Sequence, residues 1–534
     1  MRNLYRFHVV IATGAVAFAC SLQHSYASSF VINEQSTSGL GTAYAGGAAQ
    51  AEDASSLFFN PASIVLLDYG EAQGDVTGLW LNGQFSNSGS SYKLPGTPFN
   101  GLRLNGGDGG NVPADKVIPN FYLSQPVFRN TPYGDLTIGI GLSSPYGLET
   151  DYAPGWVGRY LALRTKLTTI DIQPAIAYRL FNRLSLGVSL DIQYASERNS
   201  NAIDFGEIAN AEALAPFYQT IGTDLAAQLT AQGLPPALVQ QRVAQTVGTI
   251  QQAYARAGFV PQGSDGISEF NGDGWDLGFS IGAVFEYLES GELPFLQDGR
   301  IGVSYRSAML HNIKGSVQFS DVPALVAPGA PIQFPNPGLL QDTFFDQNAA
   351  LSLNLPEIYH FSLFQRLAER FAVMGDIAWT RWSELSAVTL SFSTPGIPAA
   401  RSVFNYQDEL RYSVGFEWYA TKALTFRIGF SYDHSPVRSA QFNNPSIPDA
   451  DRYLLGTGFR WSVTRNIDLD FGYLHIFEDD AQINVTDSTG HNLRGNAVFW
   501  GNLFSAALTV KWGGPKESPA SVEPTGKSPI GYGK

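Results

Sequence analysis

Gly278-Phe279-Ser280-Ile281-Gly282 has the G-x-S-x-G spacing that presents a serine nucleophile on a sharp turn between a strand and a helix. Its neighbours forbid that geometry. Trp275, Leu277, Phe279, Ile281, Ala283, Phe285 and Tyr287 interleave with Asp276, Gly278, Ser280, Gly282 and Glu286, so Ser280 lies mid-strand on a small, polar face. No H-E-x-x-H occurs and the seven histidines are scattered, so neither enzyme chemistry, a metal nor a cofactor is expected. A lipase would need exposed serine and histidine side chains acting together. A second stretch, LTIGIGLSSPYGLE (136–149), poses a different question. Leu136, Ile138, Ile140 and Leu142 alternate with Thr137, Gly139, Gly141 and Ser143, then the pattern breaks at Ser144-Pro145-Tyr146-Gly147. Proline cannot donate to a ladder and glycine weakens a strand, so a sheet loses hydrogen bonds where it would otherwise continue. Prolines 126, 174 and 356 also fall in or near strands.

The elements that hold these residues follow from compartment and periodicity. Arg2 and Arg6, the apolar run 9–19 and Ser25-Tyr26-Ala27 form a charged, an apolar and a small-x-small region, read as a secretory leader over 1–27. The apolar run is about half the length that spans a bilayer, and no later segment reaches it. Cys20, the sole cysteine, lies inside the leader, so a chain cut after Ala27 takes no disulfide support. Cleavage before Cys20 as a lipoprotein is the rival, and Ala17 and Phe18 fit it poorly. The net charge of −14 argues against nucleic acid as a partner.

From about residue 70 to Trp512 alternating segments recur without a compositional border. Leu184, Leu186, Val188, Leu190, Ile192 and Tyr194 interleave with Ser185, Gly187, Ser189, Asp191 and Gln193. Leu424, Phe426, Ile428, Phe430 and Tyr432 interleave with Thr425, Arg427, Gly429, Ser431 and Asp433, and the last strand ends on Phe504, Ala506, Leu508, Val510 and Trp512. Such runs have the length of tilted membrane strands, and short turns (179–183, 420–423, 464–466) alternate with long polar connections. Fourteen strands are counted, beginning near 72, 117, 134, 166, 183, 272, 299, 350, 370, 403, 423, 451, 466 and 495. An even number without a free edge suits a bilayer, where each unpaired backbone group costs several kcal/mol. Aromatics near strand ends (FVIN, LWLNGQF, WTRW, FEWY, FWGNLF) favour membrane interfaces over a soluble sandwich. The fold class is therefore all-β: a 14-stranded antiparallel transmembrane β-barrel over 70–512.

Two parts are not staves of this barrel. Residues 28–69 are small, polar and glycine-rich, yet Phe30, Ile32, Leu57, Phe58 and Phe59 give them something to bury, which predicts an amino-terminal hatch in the lumen. Such a plug disfavours a general diffusion porin, because it blocks the water path. Asn60-Pro61-Ala62 sets a hatch turn. Across 199–270, Leu214, Phe217, Ile221, Leu225 and Leu229, then Val239, Val243, Val247, Ile250 and Tyr254, fall at helical spacing, with Pro235-Pro236 between. They predict a helical pair in an extracellular loop, either packed face to face or forming an external apolar groove.

SGLGTAYAG (38–46), FNPA (59–62), YGLETDY (146–152), TKLTTIDIQPAIAYRL (165–180), VSYRS (303–307), LNLPE (353–357), WTRWSEL (379–385), LTFRIGFSYDHSPV (424–437) and SIPDADRYLLGTGF (446–459) together resemble the long-chain fatty-acid transporters of Gram-negative outer membranes, the FadL-like family, which includes carriers of aromatic hydrocarbons. The resemblance runs from Ser28 to Trp512 and fails mainly across 199–270. It implies a monomeric, multi-pass outer-membrane barrel, in contact with outer-membrane lipid, that takes up hydrophobic small molecules: long-chain fatty acids or, alternatively, aromatic or alkane hydrocarbons. It also implies release through a lateral gate at an inward kink of the third strand, here Ser144, Pro145, Tyr146 and Gly147. A carboxylate would need a cation in the pocket. By resemblance that cation comes from the start of the loop after the fifth strand or from just before the tenth, with Arg198 and Arg401 nearest, and Phe30 joins them as a ligand-binding residue. Asp433 and Arg452, in DHSPV and IPDADR, are expected to pair with each other or with the hatch. The family's chains end at the last aromatic, whereas 513–534 reads here as a disordered periplasmic tail.

Overall fold

The computed structural model describes residues 30–513 apart from 113–114, 182, 290–291 and 294. The expected leader over 1–27 and all but the first residue of the tail over 513–534 lie outside the described residues.

Among the described residues the alternating segments form fourteen antiparallel staves. They are β1 (Gly70–Asn87), β2 (Lys116–Thr131), β3 (Gly134–Ser143 with Gly147–Asp151), β4 (Arg164–Leu180), β5 (Leu184–Asp204), β6 (Asp265–Leu288) and β7 (Leu296–Arg306 with Met309–Ser320). The rest are β8 (Gln347–Leu355 with Ile358–Leu367), β9 (Phe371–Thr380 with Ala387–Phe392), β10 (Ala400–Val403 with Glu409–Tyr419), β11 (Leu424–Asp433), β12 (Arg452–Thr464), β13 (Ile467–Glu478) and β14 (His491–Trp512). Gly70 pairs with Trp512 and Asn87 with Gly495, so β1 and β14 close the sheet. Closure satisfies the edge groups that a bilayer cannot.

The faces sort as the period of two requires. On β5, Leu186, Val188 and Leu190 point outward at 43–45% exposure, while Ser185, Ser189, Asp191 and Gln193 are buried inside. Phe426, Ile428 and Phe430 do the same on β11 around Arg427, Gly429 and Ser431. An apolar outer belt of this extent suits lipid and not water. Turns are short at one rim, as at 420–423, and long at the other, as at 434–451. No described helix is long and apolar enough to cross a membrane.

Several sequence readings shift. The helical insertion is 205–264 rather than 199–270, because Asn199 pairs with Phe270 and Asp204 with Asp265; the ladder outlasts the apolar alternation once it rises past the lipid. The insertion holds two long helices (Ala215–Ala231 and Pro236–Arg256). They pack only partly on each other: Leu214, Ile250 and Tyr254 bury against Phe205 at the start of the insertion and against Leu325 and Leu340 of the loop after β7. Phe30 of FVIN and Trp382 of WTRW face the lumen, with ring centroids 4.6 Å apart, and so are not interfacial anchors.

Candidate ligand pathway

Residues 30–69 fill the barrel as two short helices (Thr37–Gly41 and Ser56–Phe59) and a 3-10 turn (Pro61–Leu66). Ser36 caps the first through the amide of Gly39 at 3.1 Å, and Asn60 caps the 3-10 turn through the amide of Ala62 at 3.0 Å. The Asn60 amide also donates to Ala48 O at 2.7 Å, so Asn60-Pro61-Ala62 forms one rigid corner. That corner lies directly against the wall. A Cβ on Gly187 would sit 2.3 Å from Ala62 N, one on Gly282 1.9 Å from Asn60 Oδ1, and one on Gly429 1.9 Å from Thr42 O. Glycine on the lumen face of β5, β6 and β11 is what lets backbone dock on backbone. Two buried arginines fix the other side. Arg427 reaches Glu417 at 2.9 Å, Asp470 at 2.7 Å and Glu52 of the plug, and Arg460 reaches Asp53 at 2.6 Å and Asp470 at 2.9 Å. Full pairing offsets the cost of burying these charges.

The break in β3 is where the plug begins. β2 and β3 pair from Thr131 opposite Gly134 up to Phe121 opposite Leu142, and beyond that Lys116–Asn120 has no ladder partner in β3 among the described residues. β3 instead stays on β4, with Ser143 opposite Asp171 and Gly147 opposite Thr168, which inserts one extra residue on β3. The wall thus parts between β2 and β3. Gly147 does not omit its hydrogen bond, as its sequence context suggested: its amide donates to Phe30 O at 3.0 Å, and Ile32 N donates to Pro145 O at 2.8 Å. Gln35 donates to Ser144 O at 2.7 Å, and Tyr146 donates through its hydroxyl to Pro356 O at 3.0 Å. Toward the long-loop rim the parted staves are bridged by Lys116 and Glu149 at 2.8 Å.

Three cavities accompany this break. On the rim a groove of about 860 Å³ lies between Leu94 and Phe99 of the first long loop and Tyr218, Val243 and Val247 of the helical pair. Within the mouth a cavity of about 40 Å³ is lined by Phe30, Leu148, Leu351, Leu353 and Phe404, with Glu197 as its one charged group. A third, of about 30 Å³, touches Val31, Pro145, Arg306, Glu409 and Arg411. Phe30 faces one inner cavity and its neighbour Val31 the other.

Arg198 and Arg401 do not reach the Phe30 cavity. Alternation places Glu197 and Asn199 on it and turns Arg198 outward to Glu269 at 2.8 Å; Val388 and Ser402 face it as a ladder pair and leave Arg401 exposed on the opposite side. Asp433 and Arg452 stand opposite each other in the ladder, and Arg452 holds Asp449 and, at 3.0 Å, Glu478. They close the base of loop 434–451, whose Pro445 and Ser446 carbonyls accept from Tyr152 at 2.8 Å and Thr150 at 3.1 Å, bracing the outer half of β3. Ser280 donates to Asp191 at 2.7 Å, part of a lumen cluster in which Arg306 contacts Asp171 at 2.9 Å and Asp191 at 3.1 Å.

Comparison with known proteins agrees with this architecture. Residues 18–512 match the model of the family described as outer membrane protein transport protein (OMPP1/FadL/TodX). The chain belongs to that family. A long-chain fatty acid transport protein of Escherichia coli O6:H1 is 28% identical over 520 residues, covering 92% of this chain and 97% of the relative. Outer membrane protein P1 of Haemophilus influenzae is 26% identical, covering 86% and 88%. Among solved structures, a Pseudomonas aeruginosa FadL homologue superposes with a TM-score of 0.70 at 21% identity, over 91% of this chain and all of that one. The Ralstonia pickettii toluene transporter gives 0.53 at 15%, over 89% and 98%. As a member of this family the protein is an outer-membrane transport protein.

Within the family barrel, sequence reasoning missed Glu197 and Arg411. Arg411 is buried, and its Nε and Nη2 have no hydrogen-bond partner among the described residues; its nearest carboxylate is Asp376 at 3.8 Å. The inward parity of both could have been read from their strands. Their neighbourhoods could not.

Proposed function

We propose that this protein takes up long-chain fatty acids, captured in the rim groove, passed to the Phe30 cavity and released sideways between β2 and β3 into the bilayer. The observation that carries the reading is the loss of the β2–β3 ladder beyond Leu142, at the point where plug residues 30–35 take up the freed hydrogen bonds. Physical chemistry favours a sideways exit, since each methylene carried from apolar contact into periplasmic water costs about 0.8 kcal/mol. Burying a sixteen-carbon tail contributes on the order of 10 kcal/mol, and Arg411, which lines the cavity that touches Pro145 and whose Nε and Nη2 have no hydrogen-bond partner among the described residues, is the group suited to receive the carboxylate.

A second reading, uptake of aromatic or alkane hydrocarbons by the same route, is favoured by one feature: no cation lines the Phe30 cavity. Uptake of labelled oleate and of labelled hexadecane by cells carrying the chain separates the two. Accumulation of neither above cells lacking it overturns the transport reading. Replacing Pro145 and Gly147 together by valine is expected to slow uptake while leaving ligand binding intact, and undiminished uptake by that variant removes the lateral exit.

A further inference from the structure

The Phe30 cavity holds an unexplained carboxyl group. Glu197 projects from β5 to the lumen between Leu167 of β4 and Gly272 of β6, its partners in the ladder. It is 7% exposed and lines the cavity, and among the described residues no hydrogen bond or ion pair reaches its side chain. Its chain neighbour Arg198 points away, to Glu269 at 2.8 Å. The other polar groups of the lining, Thr165, Asn199, Ser402, Asn444 and Ser446, are neutral. Arg411 lies in the separate cavity on the other side of residues 30–31. A buried carboxyl without a partner is costly, and a ligand that brings a donor removes that cost. A ligand bringing a carboxylate finds no cation on this lining to replace its lost hydration.

We propose that Glu197 sets the specificity of the Phe30 cavity, making it select hydrophobic molecules whose head group is neutral and donates a hydrogen bond, as in long-chain alcohols, over those with an ionised carboxylate. The inference rests on the reading that this cavity holds cargo. A fatty acid occupies it by its tail, with the carboxylate directed elsewhere.

The test is equilibrium binding of 1-dodecanol, dodecanoate and dodecane to the full-length protein in detergent micelles, corrected for partition into empty micelles. Glu197→Leu is expected to weaken dodecanol about tenfold, to leave dodecane unweakened and not to weaken dodecanoate. Glu197→Gln keeps an acceptor oxygen in the same place; it is expected to retain most of the dodecanol affinity and to leave dodecanoate no weaker. Unchanged dodecanol affinity in Glu197→Leu, or dodecanoate weakened as much as dodecanol, overturns the assignment and leaves transport standing. Failure of the wild-type protein to bind all three overturns the transport reading itself.

Discussion

Single side chains in this lumen are legible mainly through what they lack or share. Arg411 has free N–H groups beside a cavity, so Arg411→Leu is expected to weaken oleate binding about tenfold or more with hexadecane binding unchanged, measured by the same partition assay; equal loss for both would mean a structural role only. Glu34 of the plug offers a pH signature. Burial pushes its carboxyl up to about 7, against the lowering pull of its own backbone amide, the Tyr44 hydroxyl and the Arg411 and Arg452 guanidiniums. A raised carboxyl favours the folded plug while protonated. That contribution is complete below the ordinary 4.5 and is lost as pH rises through about 7. Hydrogen exchange across residues 30–41, corrected for its intrinsic pH dependence, is therefore expected to be faster at about pH 8.5 than at about pH 6, and Glu34→Gln is expected to reduce the difference.

At the scale of elements, the small residues interleaved in the strands have a positional meaning. Gly187, Gly282 and Gly429 read in sequence only as the small side of an alternation; in the barrel they are among the places where plug backbone or the Asn60 side chain touches the wall. Gly429→Val is expected to cost about 1–3 kcal/mol through overpacking against Thr42, seen as a lowered unfolding temperature, whereas a valine at Gly74, with open space around its Cβ, is expected to be nearly neutral. Arg427 and Arg460 were visible as charged residues in alternating strands. Their roles were not, because their plug partners Glu52 and Asp53 lie 375 and 407 positions away in the chain. The third stave gives the converse case. Its interruption at Pro145 was plain from residue type, but the destination of its freed groups, Phe30 and Ile32, depended on where the plug docks.

The whole molecule is a sheet closed through β1 and β14 with residues 30–69 packed inside it, and the proposed transport role makes permeability depend on that packing. Arg460→Ala, which frees Asp53 and leaves Asp470 with fewer partners, is expected to let small hydrophilic antibiotics through cells carrying it, read as a lowered inhibitory concentration. Deletion of residues 30–69 is expected to convert a non-conducting barrel in planar bilayers into an open pore. A deletion variant that conducts no better than the intact chain would show that the loops at the rim, and not the plug, seal the lumen.

What the sequence determined by itself was the period-two pattern, the number of staves, the membrane as their solvent and the family, because alternation and strand length are local properties that a bilayer constrains strongly. Tertiary structure alone decided which charges face which cavity. A shift of one residue reverses a side chain's face, so Glu197 lines the Phe30 cavity while Arg198 turns outward, and Ser402 lines it while Arg401 does not. Contacts between the plug, the parted stave and the wall join residues hundreds of positions apart, and no local pattern encodes them.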